Sequence, residues 1–249
     1  MAWVLDLDGV VWRGSRPIPG SAEAVELLRR SGAEVLFLTN NSSQRLGAYV
    51  AKLAKQGIEA SPSDVVSSAG VAARLVRSGE RVVVCAGEGV LEALDDRGAT
   101  AVDEGPADAV IVGWHREFDF DRLRRATSAV LGGARLIGTN DDATYPTEDG
   151  LLPGAGAILA AVSFASGTKP VVAGKPYQPV VDLLLERVGP PELVVGDRPS
   201  TDGLLAQRLG VPFALVRSGV TPAGESPQGV SPAVDADDLA AVVKAVLDR

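Results

Sequence analysis

Two aspartates, Asp6 and Asp8, close the short apolar run Trp3-Val4-Leu5 near the start of the sequence. The run predicts a buried β-strand, because it is short, apolar and bounded by polar residues. Residues two apart on a strand point to the same side, so the two carboxylates would lie together and repel each other. A cation would offset that repulsion, and the pair therefore indicates a metal site at the end of the first strand.

Polar residues also follow three other predicted strands. Thr39, Asn40, Asn41 and Ser42 follow the strand 34–38, Lys175 follows the strand 171–174, and Asp197 and Asp202 follow the strand 193–195. Ligands of open parallel sheets bind beyond the carboxyl ends of the strands, so we expect these residues to converge with Asp6 and Asp8. Carboxylates without histidine or cysteine favour a hard cation such as Mg²⁺, which keeps several waters and is usually completed by a phosphate group.

This combination of residues indicates phosphoryl transfer. With Mg²⁺ on one oxygen of Asp6, the other oxygen would be a nucleophile for phosphorus. Asp8 would protonate the leaving alcohol and then activate water. Thr39 and the backbone N–H groups after it, with the ammonium of Lys175, would hold the phosphate oxygens.

The remaining two carboxylates have supporting tasks. Asp197 would anchor the metal ion. Asp202 has three open interpretations, since it could bind a metal-bound water, fix Lys175 or cap the following helix.

The composition excludes several other chemistries. The chain has 249 residues but one histidine, His115, and one cysteine, Cys85. A metal site built on several histidines is therefore impossible, and so is an intrachain disulfide. We expect Cys85 to be a core residue, since it lies in an apolar run, and His115 to be a surface loop residue.

Charge and hydropathy limit the partners that we expect. The net charge of -8 argues against nucleic acid and against an anionic membrane surface. No apolar run approaches the roughly 20 residues that span a bilayer, and a secretory signal is not evident. With so little cysteine, a reducing cytoplasm is the expected location.

Alternating strands and helices predict the fold class. The N-terminal third and the C-terminal quarter each alternate strands with helices, which favours an α/β fold with a doubly wound, Rossmann-like parallel sheet. Within these parts we predict a third helix from near Asp64 to Ser78 and a last helix from Asp235 to Leu247. Glycine and serine breaks at 78–79 and 166–167 separate the middle of the chain. We therefore expect a core domain of residues 1–78 and 171–249 and an inserted, smaller α/β domain of residues 79–170.

Four sequence motifs carry a resemblance to a known family. In chain order, DLDGVVWRG, TNNSS, VVAGKP and VVGDRPSTD resemble the four motifs of the haloacid dehalogenase (HAD) superfamily. The segment TNDDATYPTEDGLLPGAGAIL resembles the cap of its NagD-like, para-nitrophenyl-phosphatase branch. The resemblance spans nearly the whole chain, and four ordered motifs with a cap segment are far more specific than a pair of aspartates.

The resemblance implies roles for the core residues. In this family the aspartate that matches Asp6 is phosphorylated during turnover, and the one that matches Asp8 is the acid–base. Mg²⁺ is bound by the Asp6 side chain, the Asp8 backbone carbonyl and Asp197. Thr39 and Lys175 hold the phosphoryl group.

The resemblance also implies residues that read the substrate. Asn40 and Asn41 would line the substrate site, and we predict Tyr145 as a further substrate contact. Tyr145 occupies the cap-loop position at which the pyridoxal phosphate branch has a histidine, which argues against pyridoxal phosphate as the substrate. Relatives often dimerise through their caps, so a homodimer is expected.

The predicted function is a Mg²⁺-dependent phosphatase of small phosphomonoesters, such as a sugar phosphate, glycerol phosphate or phosphoglycolate, acting through an aspartyl-phosphate. The alternatives are a phosphoacceptor signalling module and a phosphate-binding protein with little turnover. Receiver modules are short and uncapped, and they lack an acid–base two residues after the acceptor. An assay of phosphate release distinguishes a phosphatase from both alternatives.

Overall fold

The computed structural model describes residues 1–147, 150–227 and 229–248. Positions 148 and 149 of the predicted cap segment therefore lie outside the described residues. The strands are β1 (Ala2–Asp6), β2 (Trp12–Arg13), β3 (Arg16–Pro17), β4 (Glu34–Thr39), β5 (Val65–Ser67), β6 (Arg81–Cys85), β7 (Thr100–Val102), β8 (Ala109–Val112), β9 (Arg135–Gly138), β10 (Thr144–Thr147), β11 (Gly150–Pro153), β12 (Val171–Val172), β13 (Leu193–Gly196), β14 (Phe213–Val216) and β15 (Val234–Ala236). The α-helices are α1 (Ser21–Arg30), α2 (Leu46–Lys55), α3 (Ser68–Arg74), α4 (Glu88–Arg97), α5 (Phe120–Leu131), α6 (Ala155–Ser166), α7 (Gln178–Val188), α8 (Leu204–Leu209) and α9 (Leu239–Leu247), and Pro62–Asp64 and Pro199–Gly203 form a short 3-10 helix and a short π-helix. Within the described ranges, no helix is long and apolar enough to cross a bilayer.

The first of two compact units comprises Met1–Thr39, Tyr49–Val66 and Lys175–Arg249. Its six-stranded sheet has the order β15-β14-β13-β1-β4-β5. β1 pairs in parallel with β4 on one side and with β13 on the other, although these two strands are far apart in sequence. The strand order therefore reverses beside β1, which is where open α/β sheets bind their ligands.

The central strands of this sheet are buried because their sequences are almost continuously apolar. β13 and β14 are buried at all four positions, as expected for parallel strands that have helices on both faces. α1 buries Ala24, Val25 and Leu28 on one stripe and carries charged residues on its other face. The α/β fold with a doubly wound parallel sheet is as predicted.

The second unit comprises Asn40–Ala48 and Ser67–Gly174. It has its own five-stranded parallel sheet, of order β12-β9-β8-β6-β7, and an antiparallel hairpin of β10 and β11. The predicted insert of residues 79–170 lies within this second unit, which contains more of the chain than the insert does. The unit also takes in 40–48, α3 and β12, because β12 pairs with β9.

The core of the second unit lies between its sheet and the helices α5 and α6. Cys85, at the end of β6, is 1% exposed and is part of this core, as predicted. Burial raises the pKa of its thiol to about 11. The thiol is therefore inert at neutral pH.

Three local predictions are wrong. Val65–Ser67 is a strand rather than the first turn of a helix, because β-branched valines favour a sheet. The helix begins only after Ser67, whose hydroxyl accepts a hydrogen bond from the Gly70 N–H at 3.3 Å, and it ends at Arg74. In the tail, Val234–Ala236 is a strand, and α9 begins after Asp238, whose Oδ1 accepts a hydrogen bond from the Ala241 N–H at 2.8 Å.

The third wrong prediction concerns His115. Its side chain is 5% exposed instead of lying at the surface. The ring packs edge-on against Phe118, with 6.0 Å between the ring centroids, and Nδ1 lies 3.0 Å from the Gly113 carbonyl. Phe118, three residues along the chain, packs against the core of the second unit, and its contact with His115 holds this loop there.

Candidate active site

Lys175 forms a buried ion triad with Asp6 and Asp202 in the first unit. Its Nζ lies 2.8 Å from Asp6 Oδ1 and 2.6 Å from Asp202 Oδ1, and it also donates to the Leu38 carbonyl at 3.4 Å. The three side chains are 3%, 12% and 1% exposed, in the order Lys175, Asp6, Asp202. Burial alone lowers the pKa of Lys175, but the two carboxylates outweigh it and raise the pKa above its usual value. The ammonium therefore stays charged.

Asp6 keeps one carboxylate oxygen available. It ends β1, and its Oδ1 accepts hydrogen bonds from the Leu7 N–H at 2.8 Å and from Lys175. Both donors are on Oδ1, so Oδ2 accepts no hydrogen bond from the described residues and is open to a metal ion. Asp6 is thus held in place through Oδ1.

Both carboxylate oxygens of Asp202 are engaged, and one of them holds Lys175. Its Oδ1 pairs with Lys175, and its Oδ2 accepts a hydrogen bond from the Arg198 N–H at 3.1 Å. Of the three open interpretations, this geometry favours the one in which Asp202 fixes the lysine.

Asp197 follows β13, and its side chain is held by the segment that follows β14. Its Oδ2 accepts a hydrogen bond from the Val220 N–H at 2.7 Å, and its backbone carbonyl accepts one from the Thr221 hydroxyl at 2.6 Å. The residue is 4% exposed. Oδ1 accepts no hydrogen bond from the described residues, so a cation could use it.

The donor set fits a hard divalent cation. Carboxylate oxygens of Asp6, Asp197 and Asp202 lie within 4.8 Å of one another. The cluster offers oxygen only, and Asp6 and Asp197 each keep an available oxygen, which matches the one or two carboxylates that Mg²⁺ usually takes from a protein. The Asp8 backbone carbonyl as a further ligand stays a prediction.

The electrostatics of the cluster also favour a cation. Burial raises the pKa of Asp6 well above its usual value, Lys175 opposes this, and the negative charges of Asp202 and Asp197 add to it. Burial and the charge of Asp202 raise the pKa of Asp197 to about 6. Three carboxylates therefore share one ammonium, and a divalent ion would balance the remaining charge.

Asp8 is oriented by a tryptophan. The Trp12 Nε1–H donates to Asp8 Oδ1 at 2.9 Å, and Trp12 is 1% exposed. Lys52 Nζ lies 3.9 Å from the centroid of the Trp12 ring, a cation–π contact, and it also donates to the Gly14 carbonyl at 2.9 Å. Burial raises the pKa of Asp8, although Lys52 and Trp12 both oppose the shift.

Thr39 ends β4 and is 2% exposed. It follows Leu38, which is the register partner of Asp6 and the residue whose carbonyl accepts from Lys175. The parallel pairing of β1 with β4 therefore brings the end of β4 beside the nucleophile candidate. The structure brings together six predicted residues in the first unit: Asp6, Asp8, Thr39, Lys175, Asp197 and Asp202.

The other predicted residues belong to the second unit. Asn41 Nδ2 donates to the Tyr145 hydroxyl at 3.3 Å, and Asn40 Nδ2 donates to Asp142 Oδ2 at 3.1 Å. The Tyr145 ring stacks on Trp114 with 4.5 Å between the ring centroids. Asn41 and Tyr145 are thus neighbours, 104 residues apart in sequence.

Sequence reasoning missed Trp12, Lys52 and the segment after β14. A signal for the segment did exist, because Ser218, Gly219 and Thr221 lie within five residues of the end of an apolar strand and so stand at the same edge as the predicted residues. Trp12 offered no comparable signal, since an aromatic residue near a strand usually fills a core.

The fold and this group of residues define a class of protein. Acidic residues, a buried lysine and a threonine meet at the carboxyl ends of a parallel sheet, at the point where its strand order reverses. The family model described as haloacid dehalogenase-like hydrolase matches residues 3–100, and one described as HAD-hydrolase-like matches residues 172–242. The chain belongs to the haloacid dehalogenase-like hydrolases, in their NagD-like phosphatase branch.

Individual relatives agree with this assignment. An acid sugar phosphatase from Staphylococcus saprophyticus is 33% identical over 98% of this chain and 96% of its own length. The structure of a p-nitrophenyl phosphatase from Archaeoglobus fulgidus has a TM-score of 0.92 and 30% identity, covering 98% of each chain. A glycerol phosphate phosphatase from Mycobacterium tuberculosis in complex with magnesium has a TM-score of 0.88 and 33% identity, over 97% of this chain and 75% of its own. The present protein is thus a hydrolase of phosphoester bonds that acts on small phosphorylated substrates.

Proposed function

We propose that this phosphatase requires Mg²⁺ and works through an aspartyl-phosphate on Asp6. The observation that carries the proposal is the buried meeting of Asp6, Lys175 and Asp197 at the ends of β1 and β13. One ammonium and an oxygen-only cation site beside a carboxylate with an available oxygen are the parts that phosphoryl transfer needs.

The proposed reaction has two steps. One oxygen of the Asp6 carboxylate attacks phosphorus, the bond from phosphorus to the ester oxygen breaks, and Asp8 gives its proton to the leaving alcohol. Asp8 then takes a proton from water, the water oxygen attacks phosphorus, and the bond to Asp6 breaks to release phosphate. Lys175 holds Asp6 in position and neutralises negative charge. When bound, Mg²⁺ would supply further positive charge to the phosphoryl oxygens.

The proposed substrates are small phosphomonoesters such as sugar phosphates, glycerol phosphate and phosphoglycolate. The names of an acid sugar phosphatase and a glycerol phosphate phosphatase among the relatives support the first two substrates, and phosphoglycolate stays a prediction. Asn40, Asn41 and Tyr145 stay proposed substrate contacts, and the hydrogen bond between Asn41 and Tyr145 supports a joint role.

The homodimer and the cytoplasmic location stay predictions, and light scattering in solution tests the homodimer.

A phosphate-release screen over phosphorylated metabolites, with Mg²⁺ and with a chelator, tests the proposal. Asp6→Asn keeps the shape of the side chain but removes the nucleophile, so we expect no turnover. Asp182→Asn is the matched control, because Asp182 is a carboxylate of α7 that pairs only with Gln178 of the same helix among the described residues. Turnover by the Asp6→Asn variant, or equal turnover after chelation of Mg²⁺, would refute the proposal.

The intermediate has its own test. Acid quench of a reaction with ³²P-labelled 4-nitrophenyl phosphate, whose leaving group needs no proton, should leave label on the protein, and Asp8→Asn should increase it because hydrolysis of the intermediate is slowed. A phosphoacceptor signalling module would instead retain the label without releasing phosphate. A phosphate-binding protein would neither become labelled nor release phosphate.

A further inference from the structure

The segment Ser218–Thr221, which follows β14, contacts Asp197 and its surroundings at three points. The Val220 N–H binds Asp197 Oδ2 at 2.7 Å, and the Thr221 hydroxyl binds the Asp197 carbonyl at 2.6 Å. The Ser218 hydroxyl donates to the Gly9 carbonyl at 2.6 Å. Both the side chain and the backbone of Asp197 are therefore held by one short segment of the chain.

Two glycines enclose the Asp197 carboxylate. A Cβ at Gly9 or at Gly219 would overlap the carboxylate of Asp197. Gly9 also has a φ of +83°, which is strained for any other residue. The carboxylate thus lies against two backbone segments and has little room to rotate.

Arg217 closes the segment Ser218–Thr221 by binding residues that follow it in the chain. Its Nε and Nη2 bind both oxygens of Asp235, at 2.7 and 2.6 Å, while Nη1 donates to the carbonyls of Pro222 and Glu225 at 2.8 Å each. The guanidinium side chain is only 11% exposed. Arg217 therefore ties the chain beyond Thr221 back to β15, across the segment that holds Asp197.

We propose that Ser218–Thr221, closed by Arg217, positions Asp197 to bind a cation through Oδ1 alone. The inference rests on the proposed role of Asp197 as the metal anchor. Oδ2 accepts the Val220 N–H and lies against the backbones of Gly9 and Gly219, so Oδ1 is the more accessible oxygen of the carboxylate. A one-oxygen carboxylate suits Mg²⁺, which demands near-octahedral geometry, whereas Ca²⁺ readily accepts both oxygens. Arg217 and Thr221 are positioning residues that favour Mg²⁺ over Ca²⁺.

The test is titration calorimetry with Mg²⁺ alone and with Ca²⁺ alone. Arg217→Gln and Thr221→Val should each raise the Kd for Mg²⁺ by about 10-fold or more, the range found when partners of metal ligands are removed. The Kd for Ca²⁺ should change less, so the ratio of the Kd for Ca²⁺ to the Kd for Mg²⁺ should fall. Arg217→Lys, which can still reach Asp235, should lie between the unaltered protein and Arg217→Gln.

The matched control is Arg29→Gln. Arg29 also binds a backbone carbonyl with its guanidinium, that of Glu59 in the first unit, and its replacement should leave both Kd values unchanged. Thermal melting checks that each variant folds. A Kd for Mg²⁺ within twofold of the unaltered value in folded Arg217→Gln and Thr221→Val would overturn the proposal, and so would an equal loss for both ions.

Asp197→Asn separates this inference from the proposed function. If Asp197→Asn binds Mg²⁺ as the unaltered protein does, Asp197 is not the anchor and the inference falls, whatever the phosphatase assay shows. If Mg²⁺ binding follows Asp197, Arg217 and Thr221 as expected while phosphate is released without Mg²⁺, the inference stands and the proposed Mg²⁺ requirement fails.

Discussion

Replacement of Trp12 by phenylalanine should weaken the protonation of the leaving group selectively. The variant keeps an aromatic ring beside Lys52 but removes the indole N–H that binds Asp8, a hydrogen bond of 2.9 Å. Hydrogen bonds to charged groups contribute about 1.5–3 kcal/mol of stabilisation, and this one stabilises the carboxylate that Asp8 becomes as it gives up its proton. Because about 1.36 kcal/mol corresponds to a tenfold change in rate, we expect kcat/KM for glycerol phosphate to fall roughly 10- to 150-fold.

The assay compares two leaving groups. Glycerol needs a proton to leave, whereas 4-nitrophenolate leaves as a stable anion and depends little on a general acid. The ratio kcat/KM covers only the steps up to the first irreversible one, so it reports transfer to Asp6 rather than hydrolysis of the intermediate. Trp12→Phe should therefore lower kcat/KM for glycerol phosphate much more than for 4-nitrophenyl phosphate.

Trp3→Phe is the matched control. Trp3 is equally buried at 1% exposure, and its Nε1–H also binds a carboxylate, Glu192 Oε2 at 3.2 Å. Both variants should melt at a lower temperature, but only Trp12→Phe should distinguish the two substrates. Equal losses on both substrates in Trp12→Phe, or the same discrimination in Trp3→Phe, would refute the reasoning.

Three further predictions concern the ion triad, the buried histidine and the metal site. Lys175→Gln should lower turnover at least about 100-fold, since the cation beside the transferred group is lost, and should cost about 3–5 kcal/mol of unfolding free energy, since two buried carboxylates lose their partner. The double variant with Asp202→Asn should regain stability in urea unfolding but not phosphate release. Burial lowers the pKa of His115, so the unfolded chain binds protons more readily and the unfolding free energy should fall as the pH drops below about 6.5. His115→Gln should reduce that fall between about pH 7 and pH 5, and an unchanged pH dependence would contradict it. Chelation should abolish phosphate release and added Mg²⁺ should restore it with a rise in melting temperature, whereas no rise would argue against binding to the folded state.

The arrangement of the core site could be predicted because it follows from a rule about sheets. Asp6, Thr39 and Asp197 each stand at or after the carboxyl end of an apolar run, and parallel strands bring those ends to one edge. The ion pair of Lys175 with Asp202 was one of three open interpretations, because sequence separation alone gives no distance between two side chains.

Other features depend on tertiary packing that a sequence pattern does not carry. β5 and β15 lie at the two edges of the sheet and are three residues each, too short for a period to be recognised. The burial of His115 depends on the loop that carries it folding onto Phe118. The position of Trp12 over Asp8 depends on the turn between them, where Gly9 adopts a positive φ.

The single buried thiol has a practical use. Because Cys85 is the one cysteine of the chain and its pKa is about 11, alkylating reagents at neutral pH should leave the native protein unmodified. A cysteine placed at any exposed position would then be the sole reactive group. Spectroscopic probes could be attached at chosen points of either unit without first removing a native residue.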